Sequence, residues 1–151
     1  MDVNVILHPT DGSASSQKAL DLACDLARDR GARLIVVHVQ RRHGLDMVPE
    51  ALARYERVEH LRMTESDLHR ATAQSIANAA EQEARARGLT AVESMVVEGD
   101  PSREIVGAAK TTGADLIVMG SRGLGDLQGL LLGSVSHKVS HAAPCSCLVV
   151  R

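Results

Sequence analysis

Apolar positions along this chain follow two different periods. Five short, aliphatic stretches read as strands: "VNVILHP" (3–9), "RLIVVHV" (33–39), "AVESMVV" (91–97), "LIVMG" (116–120) and "CLVV" (147–150). Nearly unbroken apolar runs of this length suit strands covered on both faces. Between them the spacing becomes helical. Residues 16–30 place Ala19, Leu20, Ala23, Cys24 and Ala27 on one face, with Gly31 positioned to end the helix. Residues 64–87 predict a helix with Leu68, Ala71, Ser75, Ile76, Ala79, Ala80 and Ala84 inward and Gly88 beyond its end. Asp100-Pro101 is an N-cap followed by proline at the first helical position, and that helix runs through Ile105, Val106 and Ala109 to Gly113. "SVSHKVSHA" (134–142) is a short helix. Segment 41–63 carries the least pattern: "RRHGLDMVPE" reads as loop, and Pro49 opens a helix containing Leu52, Tyr55, Val58 and Leu61.

Strands alternating with helices predict an α/β fold, a doubly wound five-stranded parallel sheet of flavodoxin or Rossmann-like type. No repeat, low-complexity tract or linker divides the chain, so residues 1–151 are expected to form one domain. Such sheets bind ligands beyond the carboxyl ends of the strands, where strand order reverses. In order 3-2-1-4-5 the reversal lies between strands 1 and 4. The turns leaving those strands, "PTDGS" (9–13) and "GSRGLGDLQGLLLGS" (120–134), are the two richest in glycine and hydroxyl groups. Order 2-1-3-4-5 would hold them apart.

Composition narrows the ligand. The chain has no Trp or Phe and a single aromatic residue, Tyr55, so a base-stacking platform for single-stranded nucleic acid is not expected. With 17 basic and 19 acidic residues, the formal charge of −2 lacks the footprint of a nucleic-acid binder. No apolar run approaches a membrane span, and "MDVNVILHP" is unlike a signal peptide. Three cysteines fit reduced thiols, so a cytoplasmic location is expected.

The Gly-rich stretch contains five glycines and no lysine, so it is not a P-loop. A phosphate can still be held there. Gly120 and Gly123 would let it approach main-chain N–H groups, and the helix opening at Gly133-Ser134 would offer free N–H groups at Ser134, Val135 and Ser136. Ser121, Ser134 and Ser136 add hydroxyls, with Ser134 also serving as N-cap, and Arg122 or Lys138 adds charge. Asp11 reads either as a ligand group or as the cap of the first helix.

Gly120, two residues, Gly123, nine residues, Gly133-Ser134 resembles the nucleotide motif of the universal stress protein family, in its ATP-binding branch. "ILHPTDGS", "LIVVHV", "GDPSREIV" and "PCSCLVV" are similar to other segments of that family, so the likeness covers the whole chain. The resemblance implies sheet order 3-2-1-4-5. It implies ATP as ligand, with Mg²⁺ riding on the phosphates. Pro9, Thr10 and Asp11 would face the adenosine, and Val39 would contact adenine through its backbone. Met119 would line the pocket. Gly120, Ser121, Gly123, Gly133, Ser134, Val135 and Ser136 would hold the phosphates.

No general base, Walker-type aspartate or arginine finger stands beside the loop, which favours a cytoplasmic nucleotide-linked regulator of stress response over a turnover enzyme. The competing readings are a slow ATP hydrolase or an enzyme autophosphorylating at Ser121, and a nucleotide-free dimeric scaffold or transporter regulator. "PTDGS" lacks the Ser-Gly-Gly-x-Asp-Ser type loop of adenine-nucleotide hydrolases. His137, His141, Cys145 and Cys147 imitate zinc-ligand spacing, but Pro144 leads the cysteines into a buried strand, so no metal site is expected. Cys24 falls on an apolar helix face. Strand "CLVV", at a sheet edge in order 3-2-1-4-5, is expected to pair antiparallel with its own copy and make a homodimer.

Overall fold

The structure, a computed structural model, describes residues 1–42, 56–124 and 131–151, and for residues 56–64 the backbone alone. Its elements are β1 (Val5–Pro9), α1 (Ala14–Arg30), β2 (Arg33–Gln40), α2 (Glu56–Ala86), β3 (Val92–Glu98), α3 (Pro101–Thr112), β4 (Leu116–Gly120), α4 (Ser134–Ala142) and β5 (Ser146–Val150). All strand pairs are parallel, and the sheet order is β3-β2-β1-β4-β5. The reversal therefore falls between β1 and β4, as order 3-2-1-4-5 requires.

Each side of the sheet has its own core. On one, Ile6, Leu34, Val36 and Val118 pack with the buried faces of α1 and α2. On the other, Leu7, Ile35, Val37 and Ile117 meet Ile105, Ala108 and Ala109 of α3 and Val139 of α4. Burial on both sides is why the central strands read as unbroken apolar runs. Every α1 residue assigned to the core is buried, including Cys24, whose thiol burial pushes up to about 11.

Helix α2 departs from expectation in two ways. Its backbone is continuous from Glu56 to Ala86, with no break at Thr64. The expected start at Pro49, with Leu52 and Tyr55, lies outside the described residues. The buried face is Ala73, Ala77, Ala80 and Ala84, whereas Leu68 is 65% exposed and Ala71, Ser75 and Ala79 face solvent. Alanine occurs on every side of this helix, so Leu68 dominates the periodicity and rotates the apparent face. The buried stripe consists of small side chains, which allow close approach to the sheet.

Helix ends follow local chemistry. Asp100 caps α3 through the Arg103 N–H, with Pro101 next, and Gly113 ends the helix in the left-handed region. Ser13, not Asp11, caps α1, its hydroxyl accepting from the Ser16 N–H at 3.1 Å.

β1 pairs with β2 over its whole length but with β4 only at Ile6–Leu116 and Leu7–Ile117. Pro9 has no N–H to continue the ladder. The His8 imidazole, fully buried, engages the Val118 carbonyl through Nδ1 at 2.9 Å. A carbonyl only accepts, so Nδ1 carries the proton and Nε2 is left as a bare acceptor. That Nε2 is buried without a partner among the described residues.

Candidate functional site

The strand ends on either side of this separation build a cleft. From β1, the Thr10 N–H still bonds the Val37 carbonyl at 2.9 Å, so the chain leaves the sheet beside β2. Gly12 then takes a left-handed conformation, φ +78°, which side chains rarely adopt. The turn is fastened from within: Thr10 Oγ1 and Ser16 Oγ share a 2.9 Å hydrogen bond, and the Gly12 N–H reaches Thr10 Oγ1 at 3.3 Å. The His38 Nδ1–H donates to the Thr10 carbonyl at 2.8 Å, joining the exits of β1 and β2.

Asp11 has a role that the sequence did not reveal. Its Oδ1 accepts from the Ser13 N–H at 2.9 Å and its Oδ2 from the Leu124 N–H at 3.0 Å. The carboxylate thus ties the loop leaving β4 to the turn leaving β1, and does not cap α1. Each oxygen keeps lone-pair capacity for a ligand hydroxyl.

On the β4 side, the Ser121 N–H bonds the Val150 carbonyl at 2.7 Å, and the Ser121 carbonyl accepts from the Gly133 N–H at 2.6 Å. The Ser136 hydroxyl donates to the carbonyls of Ser121 (2.8 Å) and Gly133 (3.1 Å). Its proton is therefore engaged within the protein, contrary to the expectation of a ligand donor. Gly133 is the N-cap of α4, with φ −71° and no side chain, so Ser134 is the first helical residue and not the cap. Among the described residues no side chain caps this helix, and no acidic residue lies in its first turn. The N–H groups of Ser134, Val135 and Ser136 have no intrahelical acceptor, so the positive end of the helix dipole is open to an anion.

Gly120 is required for a reason other than the one expected. It does not adopt a left-handed conformation; a Cβ there would lie 2.5 Å from Ser15 Oγ and 2.8 Å from the Ser15 carbonyl carbon. The close approach it permits is of β4 to the start of α1.

These parts enclose a cleft of about 590 Å³. Ten of the twelve residues singled out from the sequence line it: Pro9, Thr10, Asp11, Val39, Met119, Gly120, Gly123, Ser134, Val135 and Ser136. Ser121 and Gly133 are buried behind the lining, which removes Ser121 as an accessible phosphorylation site. Arg122 borders the cleft, whereas Lys138 does not and lies within electrostatic reach of Asp100. Sequence reasoning missed one wall. Ala73 and Ile76 of α2 and Ile105 of α3 face the cleft, their small or apolar side chains giving no chemical signal.

The fold agrees with the relatives this chain has. The sequence matches the universal stress protein family over residues 3–151. The chain belongs to the universal stress protein family. It is 37% identical to universal stress protein YxiE of Bacillus subtilis over 156 aligned positions, covering 98% of this chain and 99% of that one. Universal stress protein UspA from Lactobacillus plantarum superposes with a TM-score of 0.82 at 23% identity, covering 100% of this chain and 99% of the other. A universal stress protein crystallised in complex with cAMP superposes with a TM-score of 0.72 at 29% identity, covering 100% and 99% of the two chains.

Cys145 and Cys147 are half-buried against the α3–α4 core, and burial pushes both thiols up. No described helix is long and apolar enough to cross a membrane.

Proposed function

We propose that this universal stress protein binds ATP in the cleft between β1 and β4 and acts as a cytoplasmic, nucleotide-linked regulator rather than a turnover enzyme. The observation that carries the reading is the first turn of α4, which has no side-chain cap among the described residues and whose three N–H groups without intrahelical acceptors open into the same cleft as the Asp11 turn. An oligophosphate at that helix end gains N–H donors and the dipole without a P-loop lysine. Arg122 adds the cationic charge, and Mg²⁺ accompanies the phosphates. The nucleoside lies toward Asp11 and Val39, between Met119 and the small side chains of α2. A related protein's cAMP complex supports an adenine nucleotide as the class of ligand. The working unit of this reading is a homodimer through β5, and residues 1–151 act as one domain.

The test uses the protein's own weak absorbance, with no Trp and one Tyr. Acid extraction of purified protein followed by chromatography should release an adenine nucleotide, and the emptied protein should bind ATP in calorimetry. GTP should bind at least tenfold more weakly, because guanine presents mismatched groups to the backbone at Val39. Failure to bind ATP, or equal affinity for GTP, refutes the reading. Steady release of phosphate during incubation refutes its non-enzymatic part.

A further inference from the structure

Helix α4 carries two imidazoles that the nucleotide reading does not use. His137 and His141 are four residues apart, so the helical repeat places them on the same face, one turn apart. Both are exposed, and their ring centroids lie 4.7 Å apart in an edge-to-face arrangement. Among the described residues no cluster of three or more His, Cys, Asp or Glu side chains is assembled, which argues against a closed four-ligand zinc centre. A solvent-open pair asks for less.

We propose that His137 and His141 together chelate one divalent transition-metal ion, with water completing its coordination. Two histidines at i and i+4 on one helix face are the spacing at which a helix presents two nitrogens to one metal. Metal–imidazole distances of about 2.0–2.1 Å require the two nitrogens to converge to roughly 3 Å. Rings already in contact reach that arrangement by side-chain rotation alone, and solvent exposure leaves room for it.

Position on the helix helps as well. His141 lies in the last turn of α4, where the carbonyl end of the dipole favours a cation. Lys138 lies about 100° around the helix from His137 and about 60° from His141, and it is within electrostatic reach of Asp100, so its charge is partly offset. Imidazole ligands select copper, nickel and zinc over Mg²⁺, which prefers oxygen. This site is therefore chemically distinct from a Mg²⁺ carried by nucleotide phosphates.

The experiment uses nucleotide-free protein in excess MgCl2, titrated with NiCl2 in a calorimeter. The parent should bind one equivalent of Ni²⁺ at micromolar to tens of micromolar concentration. His137→Asn and His141→Asn should each weaken that binding at least tenfold while leaving the circular dichroism spectrum unchanged. A Cys145→Ser/Cys147→Ser double variant should retain it. Ni²⁺ should also raise the melting temperature of the parent but not of either histidine variant. The proposal is overturned if the parent binds no Ni²⁺ below millimolar concentration, if either histidine variant binds as tightly as the parent, or if the cysteine variant loses the site. Because no nucleotide is present, none of these outcomes depends on the ATP reading.

Discussion

The buried imidazole of His8 makes stability depend on pH in a calculable way. Its ring is fully buried, and the loss of solvation lowers its pKa from 6.5 to about 4. The hydrogen bond to the Val118 carbonyl and the charge of Asp11 oppose this shift but do not cancel it. In the unfolded chain the ring titrates near 6.5. Between these two values the unfolded state binds the proton and the folded state does not, so stability rises with pH across that interval. The contribution is complete above about pH 6.5 and is lost as pH falls toward 4. One pH unit corresponds to about 1.4 kcal/mol, so the interval from 6.5 to about 4 amounts to about 3 kcal/mol. That is a large share of the roughly 5–15 kcal/mol that holds a typical domain folded.

Urea unfolding at a series of pH values, for the parent and for His8→Asn, tests this. The Asn Nδ2 stands the same number of bonds from the backbone as the histidine Nδ1, so it can still donate to the Val118 carbonyl. Carboxylates titrate in both proteins, so their contributions cancel in the difference. The parent's advantage over His8→Asn should shrink by about 3 kcal/mol between pH 7.5 and pH 4. Most of the change should fall below pH 6.5. A difference that stays flat over that range would show that the ring is not held neutral by burial, and the reasoning would fail.

Other substitutions probe the cleft. Gly120→Ala should destabilise the protein by about 1–3 kcal/mol in urea unfolding, because its Cβ would strike the Ser15 backbone, which cannot swing aside; an unchanged midpoint would refute the packing argument. Asp11→Ala should leave the Ser13 and Leu124 N–H groups without their acceptor and lower ATP affinity at least tenfold in calorimetry, at a cost of about 1 kcal/mol in stability. Unaltered ATP binding would remove Asp11 from the site. Sedimentation equilibrium at micromolar protein should show a dimer, since β5 is a sheet-edge strand whose Leu148 is 37% exposed, and deleting residues 147–151 should weaken it; a monomeric parent would refute pairing through β5.

The fold was largely legible because its signals are redundant. Strands covered on both faces leave continuous aliphatic runs, and α1 carries a single apolar stripe that Gly31 terminates. Helix α2 was not legible in detail, since a helix with alanine on every side specifies no unique face and the exposed Leu68 misleads. The Gly120–Gly123 and Gly133–Ser136 spacing, with the family resemblance it supports, led to ten of the residues that line the cleft, but not to what each group does. Sequence distance hides that Asp11 meets Leu124, or that the Ser136 hydroxyl is spent on the Ser121 and Gly133 carbonyls. Such partners are set by tertiary geometry, and a hydroxyl in a motif reads the same whether it faces a ligand or the protein. His8 was passed over because one polar residue in an apolar strand carries no periodic signal.

His8 and its neighbours explain why the cleft opens where it does. A reversal of strand order creates a crevice between two strands, but only if the strands stop pairing before their ends. Pro9 withholds the next N–H, and the β1–β4 register ends at Leu7–Ile117 while β1 stays paired with β2 through Pro9–Val37. Across this gap the His8 Nδ1–H donates to the Val118 carbonyl of β4, a buried bond between the two strands. Imidazole provides one donor within reach and, at neutral pH, no charge, whereas lysine or arginine would bring a charge into the core. The orphaned Nε2 is the residual cost of that solution. Gly120, at the end of β4, then allows α1 to start against the strand, bringing the Ser13-capped turn and its Asp11 carboxylate alongside the loop that leads to α4. Separating β1 from β4 and drawing α1 onto β4 are distinct operations, performed by a proline and a glycine on opposite strands. Together they set the width of the cleft between the Asp11 turn and the first turn of α4.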